Sequence, residues 1–189
     1  MDIFTGYEKK ICGILSNRDW SDVARLAESL CRVWFAKEQL FICGNGGSAA
    51  NAMHMANDFL YGVSDLHMPG MRVEALSANS SVLTCLANDV GYDEIFSEQL
   101  RSKANKRDIL IVLSGSGNSK NIVRALIKAK ELRLETFAIL GYSGGECLKL
   151  ADTAIHFPVD DMQIAEDLQL SVGHMCMKYL KSKLSDARR

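Results

Sequence analysis

Short runs of apolar residues alternate with longer amphipathic segments along most of the chain. After residue 38, five apolar runs have the length of buried strands, and the pattern predicts strands at residues 40–43, 72–76, 109–113, 136–140 and 153–157. Between them apolar positions recur every three or four residues and predict helices at 48–60, 80–87, 93–104, 119–132, 146–150 and 162–183. Strands that alternate with helices imply right-handed crossovers and a parallel sheet covered on both faces.

The first forty residues have a helical pattern without strands. They predict two helices, at 7–15 and 20–35, and the second begins near Asp19 or Ser21, either of which can cap it. Trp20, Trp34 and Phe35 give this segment more apolar surface than a peripheral helix pair on one small domain needs. Two interpretations stay open at this point: burial against another subunit and packing onto the sheet of the same chain.

Composition supports one globular domain over residues 1–189. The chain is 48% hydrophobic and 24% charged, which suffices for a full core. Its 22 basic and 23 acidic side chains give a net charge of -1, which argues against nucleic-acid binding and against a polybasic membrane anchor. No apolar run is long enough to span a membrane, and no secretion signal is recognised. The six cysteines lie in apolar stretches without close pairs, which is typical of reduced core cysteines and of a cytoplasmic protein.

Two loops that follow predicted strands are rich in glycine, hydroxyl and amide groups. The first reads Gly44, Asn45, Gly46, Gly47, Ser48, and the second reads Ser114, Gly115, Ser116, Gly117, Asn118, Ser119. Ligands of parallel sheets bind beyond the carboxyl ends of the strands, where helix N-termini hold anions and glycines allow close approach. Because the Walker A pattern is absent, the loops predict a phosphate group on a small molecule rather than a nucleoside triphosphate.

A dinucleotide site is the alternative for the first loop. Gly44, Gly46 and Ala49 match the spacing of the dinucleotide fingerprint, and Glu74 lies where an acid that binds ribose would stand. However, one domain of this length would then have to hold both a dinucleotide and a substrate. The second loop would also have no purpose, so the sugar-phosphate interpretation is favoured.

Two helices carry the candidate chemistry. His54 and Asp58 stand at i and i+4 and project from one face of the helix that follows the first loop. Glu166 and His174 stand eight residues apart on the last helix, about 80° out of register, whereas Asp167 aligns more closely with His174. Such histidines and carboxylates can bind a divalent metal such as zinc or form an acid/base pair, although each histidine alone is by default an ordinary core or surface residue.

Three segments together resemble the sugar isomerase (SIS) domain of phosphoheptose isomerases. They are the run CGNGGSAANAMH at residues 43–54, LAND at 86–89 and SGSGNS at 114–119, and the resemblance extends over nearly the whole chain. It implies an α/β three-layer sandwich, flavodoxin-like, with a five-stranded parallel sheet and an N-terminal helical extension over residues 1–37 that contributes to a homotetramer. It further implies cytoplasmic isomerisation of sedoheptulose 7-phosphate to D-glycero-D-manno-heptose 7-phosphate through an enediol, for lipopolysaccharide or related glycans.

The resemblance also assigns roles by position. It implies that the sugar phosphate is held by residues of both loops and by two residues nearby: Ser114, Gly115, Ser116 and Ser119 for the phosphate, Asn45, Gly46, Gly47 and Ser48 for the sugar, and Asn88 and Asp89 close to it. It implies a zinc ion at His54, Asp58, Glu166 and His174, with Asp58, Glu166 and His174 as the catalytic residues.

Three positions depart from the pattern of that family. Aspartate 58 stands where the family usually has glutamate, which retracts the carboxylate by roughly 1.5 Å, a shift that can cost about 10²-fold in rate. Glu166 replaces a glutamine, so the site gains a charge that favours a cation, and Glu166 can act as the base while Asp58 ligates metal. Gly115 replaces a threonine and removes one hydroxyl donor. These changes affect the identity of the sugar more than the binding of a sugar phosphate.

Two further functions remain open on the sequence. One is a non-catalytic SIS scaffold similar to the protein that associates with the replication initiator DnaA, which resembles this chain around residues 46–52 but lacks a counterpart of His174. The other is an isomerase of a different ketose, aldose or amino-sugar phosphate. His67 and His156 receive no role.

Overall fold

A five-stranded parallel sheet forms the centre of the computed structural model, which describes residues 2–186. The strands are β1 (Gln39–Gly44), β2 (Arg72–Ala75), β3 (Ile109–Ser114), β4 (Glu135–Leu140) and β5 (Thr153–His156), in the order β2-β1-β3-β4-β5. The five predicted strands are therefore confirmed, with ends that differ by one residue at most. Because chain connections leave β1 and β3 in opposite directions along the sheet, their carboxyl ends border the crevice where such folds bind ligands.

Eight α-helices cover the sheet in the described part of the chain. They are α1 (Ile3–Ser16), α2 (Ser21–Ala36), α3 (Gly47–Asn57), α4 (Ser80–Asp89), α5 (Ser97–Lys103), α6 (Lys120–Glu131), α7 (Cys147–Leu150) and α8 (Met162–Asp186). Alternate residues of each strand face opposite sides. Ile42 and Ile111 pack with α2, α3 and α8 in one apolar cluster, whereas Phe41 and Leu110 pack with α5 and α6 in the other. The predicted three-layer sandwich is thus confirmed.

Several predicted helices have different bounds in the structure. α1 begins at Ile3, four residues before its predicted start, and α8 continues to Asp186. The segment predicted as one helix over 93–104 is divided into a 3₁₀ turn (Tyr92–Glu94) and α5. The Ser97 hydroxyl donates to the backbone oxygen of Glu94, a local hydrogen bond that competes with a continuous helix. The helix predicted over 48–60 begins at Gly47 and passes into a π-helical turn (Asp58–Gly62).

The two N-terminal helices pack very differently. On α2, Val23, Leu26 and Leu30 are buried on the chain's own core. On α1 no residue is buried, and the side chains of Ile3 and Phe4 are 78% and 80% exposed. The same-chain interpretation is therefore correct for α2, whereas α1 leaves apolar side chains uncovered.

The cysteines are only partly the core residues that their apolar surroundings predict. All six are free, and Cys43, Cys147 and Cys176 are buried, as expected. Cys12 and Cys85 are exposed, so the prediction is wrong for them, because α1 and α4 bury none of their residues. Among the described residues, no helix combines the length and the apolar character that a membrane span requires.

Candidate active site

The two glycine-rich loops meet in one pocket at the carboxyl end of the sheet. Gly44 of β1 pairs with Leu113 of β3, so the loops leave the sheet side by side. The pocket has a volume of about 280 Å³ and is lined by both loops and by the first turns of α8, at Asn45, Gly46, Gly47, Ser48, Leu113, Ser114, Gly115, Ser116, Ser119, Met162 and Glu166. Eight of the residues for which the sequence predicts substrate contact therefore line a single cavity.

The second loop orients hydroxyl groups toward this cavity. The Ser114 Oγ accepts a hydrogen bond from the backbone N–H of Gly117 (3.0 Å), and the Ser116 Oγ accepts one from Asn118 (3.3 Å). Because each oxygen is already an acceptor, its O–H remains available to donate to an anion. Ser119 stands at the N-cap of α6 without a side-chain capping bond, where the helix N-terminus also favours negative charge.

The first loop is held in place by polar contacts that the sequence did not predict. Asn45 and Asn121 exchange two amide hydrogen bonds of 2.9 Å, and the Tyr92 hydroxyl donates to Asn45 Oδ1 at 3.2 Å. Asn121 lies on α6 and is only 2% exposed. A polar side chain at a buried helical position needs a hydrogen-bond partner, and this is the sequence feature from which its role could have been predicted. These contacts fix Asn45 at the edge of the pocket.

Two side chains of α8 lie against glycines of the two loops. A Cβ built on Gly47 would lie 2.5 Å from Cδ of Glu166, so the Glu166 carboxylate occupies the space beside the N-terminus of α3. One turn earlier, Met162 Sδ lies 2.6 Å from the position of a Cβ on Gly115. Met162 was not predicted from the sequence. Both glycines make room for side chains that enter the pocket from α8.

Three of the four predicted metal ligands converge outside this pocket, between α3 and α8. His54 Nε2 lies 3.1 Å from His174 Nε2, and Asp58 Oδ2 lies 3.5 Å from each of these nitrogens. The imidazoles are about half exposed, and Asp58 is more buried. Glu166 is directed to the loop pocket instead, as its angular offset from His174 on α8 suggests.

The spacing of the three donor atoms fits a tetrahedral cation. Zinc bonds of 2.0–2.2 Å to nitrogen and oxygen place neighbouring tetrahedral ligand atoms on the order of 3.3 Å apart. The observed separations of 3.1 and 3.5 Å bracket this value, and all candidate ligand atoms lie within 4.8 Å of one another. Imidazole nitrogen with carboxylate oxygen is also a common donor set of zinc. The described residues thus form a possible metal-binding triad.

Asn88 and Asp89 lie elsewhere, exposed at the end of α4, and do not line the pocket. Asn88 Nδ2 donates to Asp89 Oδ1 at 2.8 Å, and this bond and one from Cys85 hold the pKa of the Asp89 carboxyl below its ordinary value. Glu74, the acid of the dinucleotide alternative, pairs with Lys103 and also lies outside the loop pocket, so the structure does not support that alternative.

A larger hollow of about 560 Å³ separates the N-terminal helices from the end of β5. Arg18 lies in it, paired with Asp22 and stacked on Phe157 at 4.2 Å from the ring centre. None of the predicted site residues lines this hollow. The larger of these two cavities is therefore not the one that contains the candidate site residues.

The fold and the two glycine-rich loops are those of a sugar-phosphate-binding α/β domain. The family model of the SIS domain matches residues 4–141. The chain is 41% identical to phosphoheptose isomerase of Helicobacter pylori (strain P12) over 137 residues, 72% of this chain and 71% of that protein. It is 36% identical to phosphoheptose isomerase of Akkermansia muciniphila over 166 residues, 88% of this chain and 86% of that protein.

Solved structures agree with these relatives. A phosphoheptose isomerase of Neisseria gonorrhoeae superposes with a TM-score of 0.82 at 26% identity, over 93% of this chain and 91% of that one. One of Francisella tularensis superposes with a TM-score of 0.87 at 23% identity, over 95% and 96%, and supports the fold. The chain belongs to the phosphoheptose isomerase family of SIS-domain proteins. It is accordingly an isomerase, and the scaffold alternative is not favoured.

Proposed function

We propose that this protein converts sedoheptulose 7-phosphate to D-glycero-D-manno-heptose 7-phosphate. The observation that carries the proposal is that α3 begins in the phosphate pocket at Gly47 and presents His54 seven residues later. Seven helical residues span about 10 Å. A seven-carbon chain with a terminal phosphate has a length on the order of 10 Å at single-bond lengths of about 1.5 Å. A substrate bound by its phosphate at residues 114–119 would therefore extend along α3, past the Glu166 carboxylate, toward the His54 cluster.

The loops would bind the substrate through neutral donors. Hydroxyls of Ser114, Ser116 and Ser119 and the N-terminus of α6 would hold the phosphate, and Gly115 makes room for Met162 beside them. Residues 45–48 would contact the sugar hydroxyls. A contact of Asn88 and Asp89 with the sugar, which the resemblance implies, stays a prediction, because both lie outside the pocket at the end of α4. None of the residues that line this pocket is basic. Binding would depend on hydrogen-bond geometry rather than on a cation of the pocket.

The reaction requires one proton to move between two carbons and another between two oxygens. We assign the first transfer to Glu166, whose carboxylate lies in the pocket: it removes a proton from C1 and returns it to C2 through a cis-enediol. His174 would move the hydroxyl proton from O1 to O2 through Nδ1, because Nε2 is the nitrogen that would hold the metal. Asp58 would hold the metal through its own carboxylate, which is the second carboxylate of the site after that of Glu166.

Zinc is the proposed cofactor, bound by His54, Asp58 and His174. Glu166, the fourth ligand that the resemblance implies, lies in the loop pocket and is proposed as the base instead. When bound, the ion would stabilise negative charge that develops on the substrate oxygens. Among the described residues, the three donor atoms already have a spacing compatible with such an ion, as the separations of 3.1 and 3.5 Å indicate.

A homotetramer is the proposed assembly, with residues 1–37 at its interface and sites completed between subunits. The support is α1, on which Ile3 and Phe4 are uncovered and no side chain is buried. Light scattering at micromolar concentration is expected to give four times the chain mass, and a monomer would contradict this assembly. We also propose a cytoplasmic location and a role in the heptose of lipopolysaccharide or related glycans.

The test is a proton NMR time course of sedoheptulose 7-phosphate with the purified protein as isolated, after chelation, and after zinc is restored. We expect the aldose phosphate to form, to stop forming after chelation and to form again with zinc. A parallel reaction with fructose 6-phosphate measures the preference for chain length. No turnover of the heptulose in any condition, with turnover of another sugar phosphate, would assign the site to that sugar instead.

A further inference from the structure

A pair of amide side chains is buried where α3 packs on α8. Asn51 is 9% and Gln169 is 1% exposed. Asn51 Nδ2 donates to Gln169 Oε1 at 3.0 Å and to the backbone oxygen of Glu166 at 3.0 Å. One α3 side chain therefore makes two hydrogen bonds to points on α8 that are three residues apart.

The pair is not optimal for stability. Gln169 Nε2 is fully buried, and it has no hydrogen-bond partner among the described residues. A buried unsatisfied donor destabilises a fold, and an apolar side chain of similar volume would pack there without this cost. Because its donor is unused, Gln169 contributes through its acceptor, and among the described residues this acceptor receives a hydrogen bond from Asn51 alone.

The remaining contacts between the two helices do not fix their axial position equally well. Met55 packs against Gly173, where a Cβ would lie 2.9 Å from Met55 Cγ, and apolar contacts of this kind have no preferred direction. Hydrogen bonds are directional, so the two bonds of Asn51 restrict sliding. A slip of a single residue would move one helix by about 1.5 Å, which is a large fraction of the 3.1 Å that separates the two imidazole nitrogens.

We propose that Asn51 and Gln169 are positioning residues that fix the register of α3 against α8, so that His54, Asp58 and His174 converge on one cation. Asn51 lies one turn before His54 on the same face of α3, and Gln169 lies five residues before His174 on α8. This inference rests on the proposed metal site in the choice of its main readout. It assigns the pair a role in ligand geometry that packing alone would not give.

The first variant is Gln169→Met, which keeps the volume of the side chain and removes both polar atoms. We expect its thermal midpoint to be equal to or higher than that of the native protein, because the unsatisfied donor is gone. We expect its affinity for zinc, measured on the metal-free protein by competition with a chromophoric chelator, to fall about 10-fold, as for other supporting residues around metal ligands. The visible spectrum of the cobalt-loaded protein should change as well.

The matched control is Val172→Ala, a buried apolar truncation on α8 that leaves the amide pair intact. It should lower the thermal midpoint and leave the zinc affinity within about twofold. The positioning role is supported if Gln169→Met loses zinc affinity but not thermal stability, and Val172→Ala loses thermal stability but not zinc affinity. Unchanged zinc affinity in Gln169→Met would overturn it.

The ring ¹⁵N and ¹H shifts of His54 and His174, recorded without metal, separate this proposal from the metal site itself. If the native protein binds no zinc, the metal proposal fails, and the register proposal is decided by these shifts. The ring shifts of both histidines are expected to change in Gln169→Met and to stay at their native values in Val172→Ala. Shifts that are unchanged in Gln169→Met would refute the positioning role.

Discussion

Replacement of Gly47 by alanine should separate catalysis from stability. Gly47 is the first residue of α3 and does not have a positive φ, so alanine fits its backbone and favours the helix by up to about 1 kcal/mol. The new methyl would start 2.5 Å from Cδ of Glu166, and ordinary contact requires roughly 3.5 Å. The carboxylate must therefore retreat by about 1 Å, a displacement that can cost about 10²-fold in rate.

The assay compares kcat, KM and the thermal midpoint of Gly47→Ala with those of the native protein. We expect kcat to fall about 100-fold while the midpoint is kept or rises. Gly13→Ala on α1, where nothing in the chain itself lies within 4 Å of the added methyl, is the matched control. With the native mass confirmed by light scattering, it should leave kcat unchanged. In a Glu166→Ala background the second substitution at Gly47 should have little further effect. A native kcat in Gly47→Ala would refute the assignment of Glu166.

Three other outcomes follow from local contacts. Ser116→Ala should raise KM for the sugar phosphate about 10-fold or more, by loss of one hydrogen bond to a charged group, with a smaller change in kcat; steady-state kinetics decide this. Asp89 raises the pKa of the Cys85 thiol through a hydrogen bond and its charge, so Asp89→Asn should speed alkylation of Cys85 at neutral pH, as mass spectrometry of the peptide would show. Partial burial disfavours ionisation of Asp152, but hydrogen bonds from Thr136 outweigh this effect and hold the pKa of its carboxyl below 3.8. The stability that the ionised carboxylate contributes is therefore present above that pH and is lost as the pH falls through the lowered pKa. Urea unfolding from about pH 5 downward should show a weaker dependence on acid in Asp152→Asn than in the native protein.

The architecture was predictable because its signals are local. Each strand is a short apolar run, and the buried residues of α2 repeat with helical spacing from Val23 to Trp34. The break between the 3₁₀ turn and α5 was not predictable in this way, because the side chain of Ser97 competes with the backbone there. Cys12 and Cys85 show the related limit that an apolar neighbourhood in sequence does not reveal which helices are uncovered.

The candidate site was predictable as two groups of residues but not in its arrangement. The glycine loops and the i, i+4 pair of His54 and Asp58 are visible in the sequence. Their separation into a loop pocket and a ligand cluster depends on how α8 is rotated against α3, which residue spacing only suggests. Met162 and Asn121 carry no recognisable motif, and their roles follow from tertiary contacts alone.

The convergence of His54 with His174 joins residues that are 120 positions apart in the chain. During synthesis, the first histidine and the whole of the anion loops leave the ribosome long before α8 exists. A nascent chain thus exposes the glycine-rich loops, His54 and Asp58 without His174, and the proposed zinc site cannot form until the last helix has docked. Metal loading would therefore report the completion of folding, and a chain that ends before α8 would be inert rather than partly active.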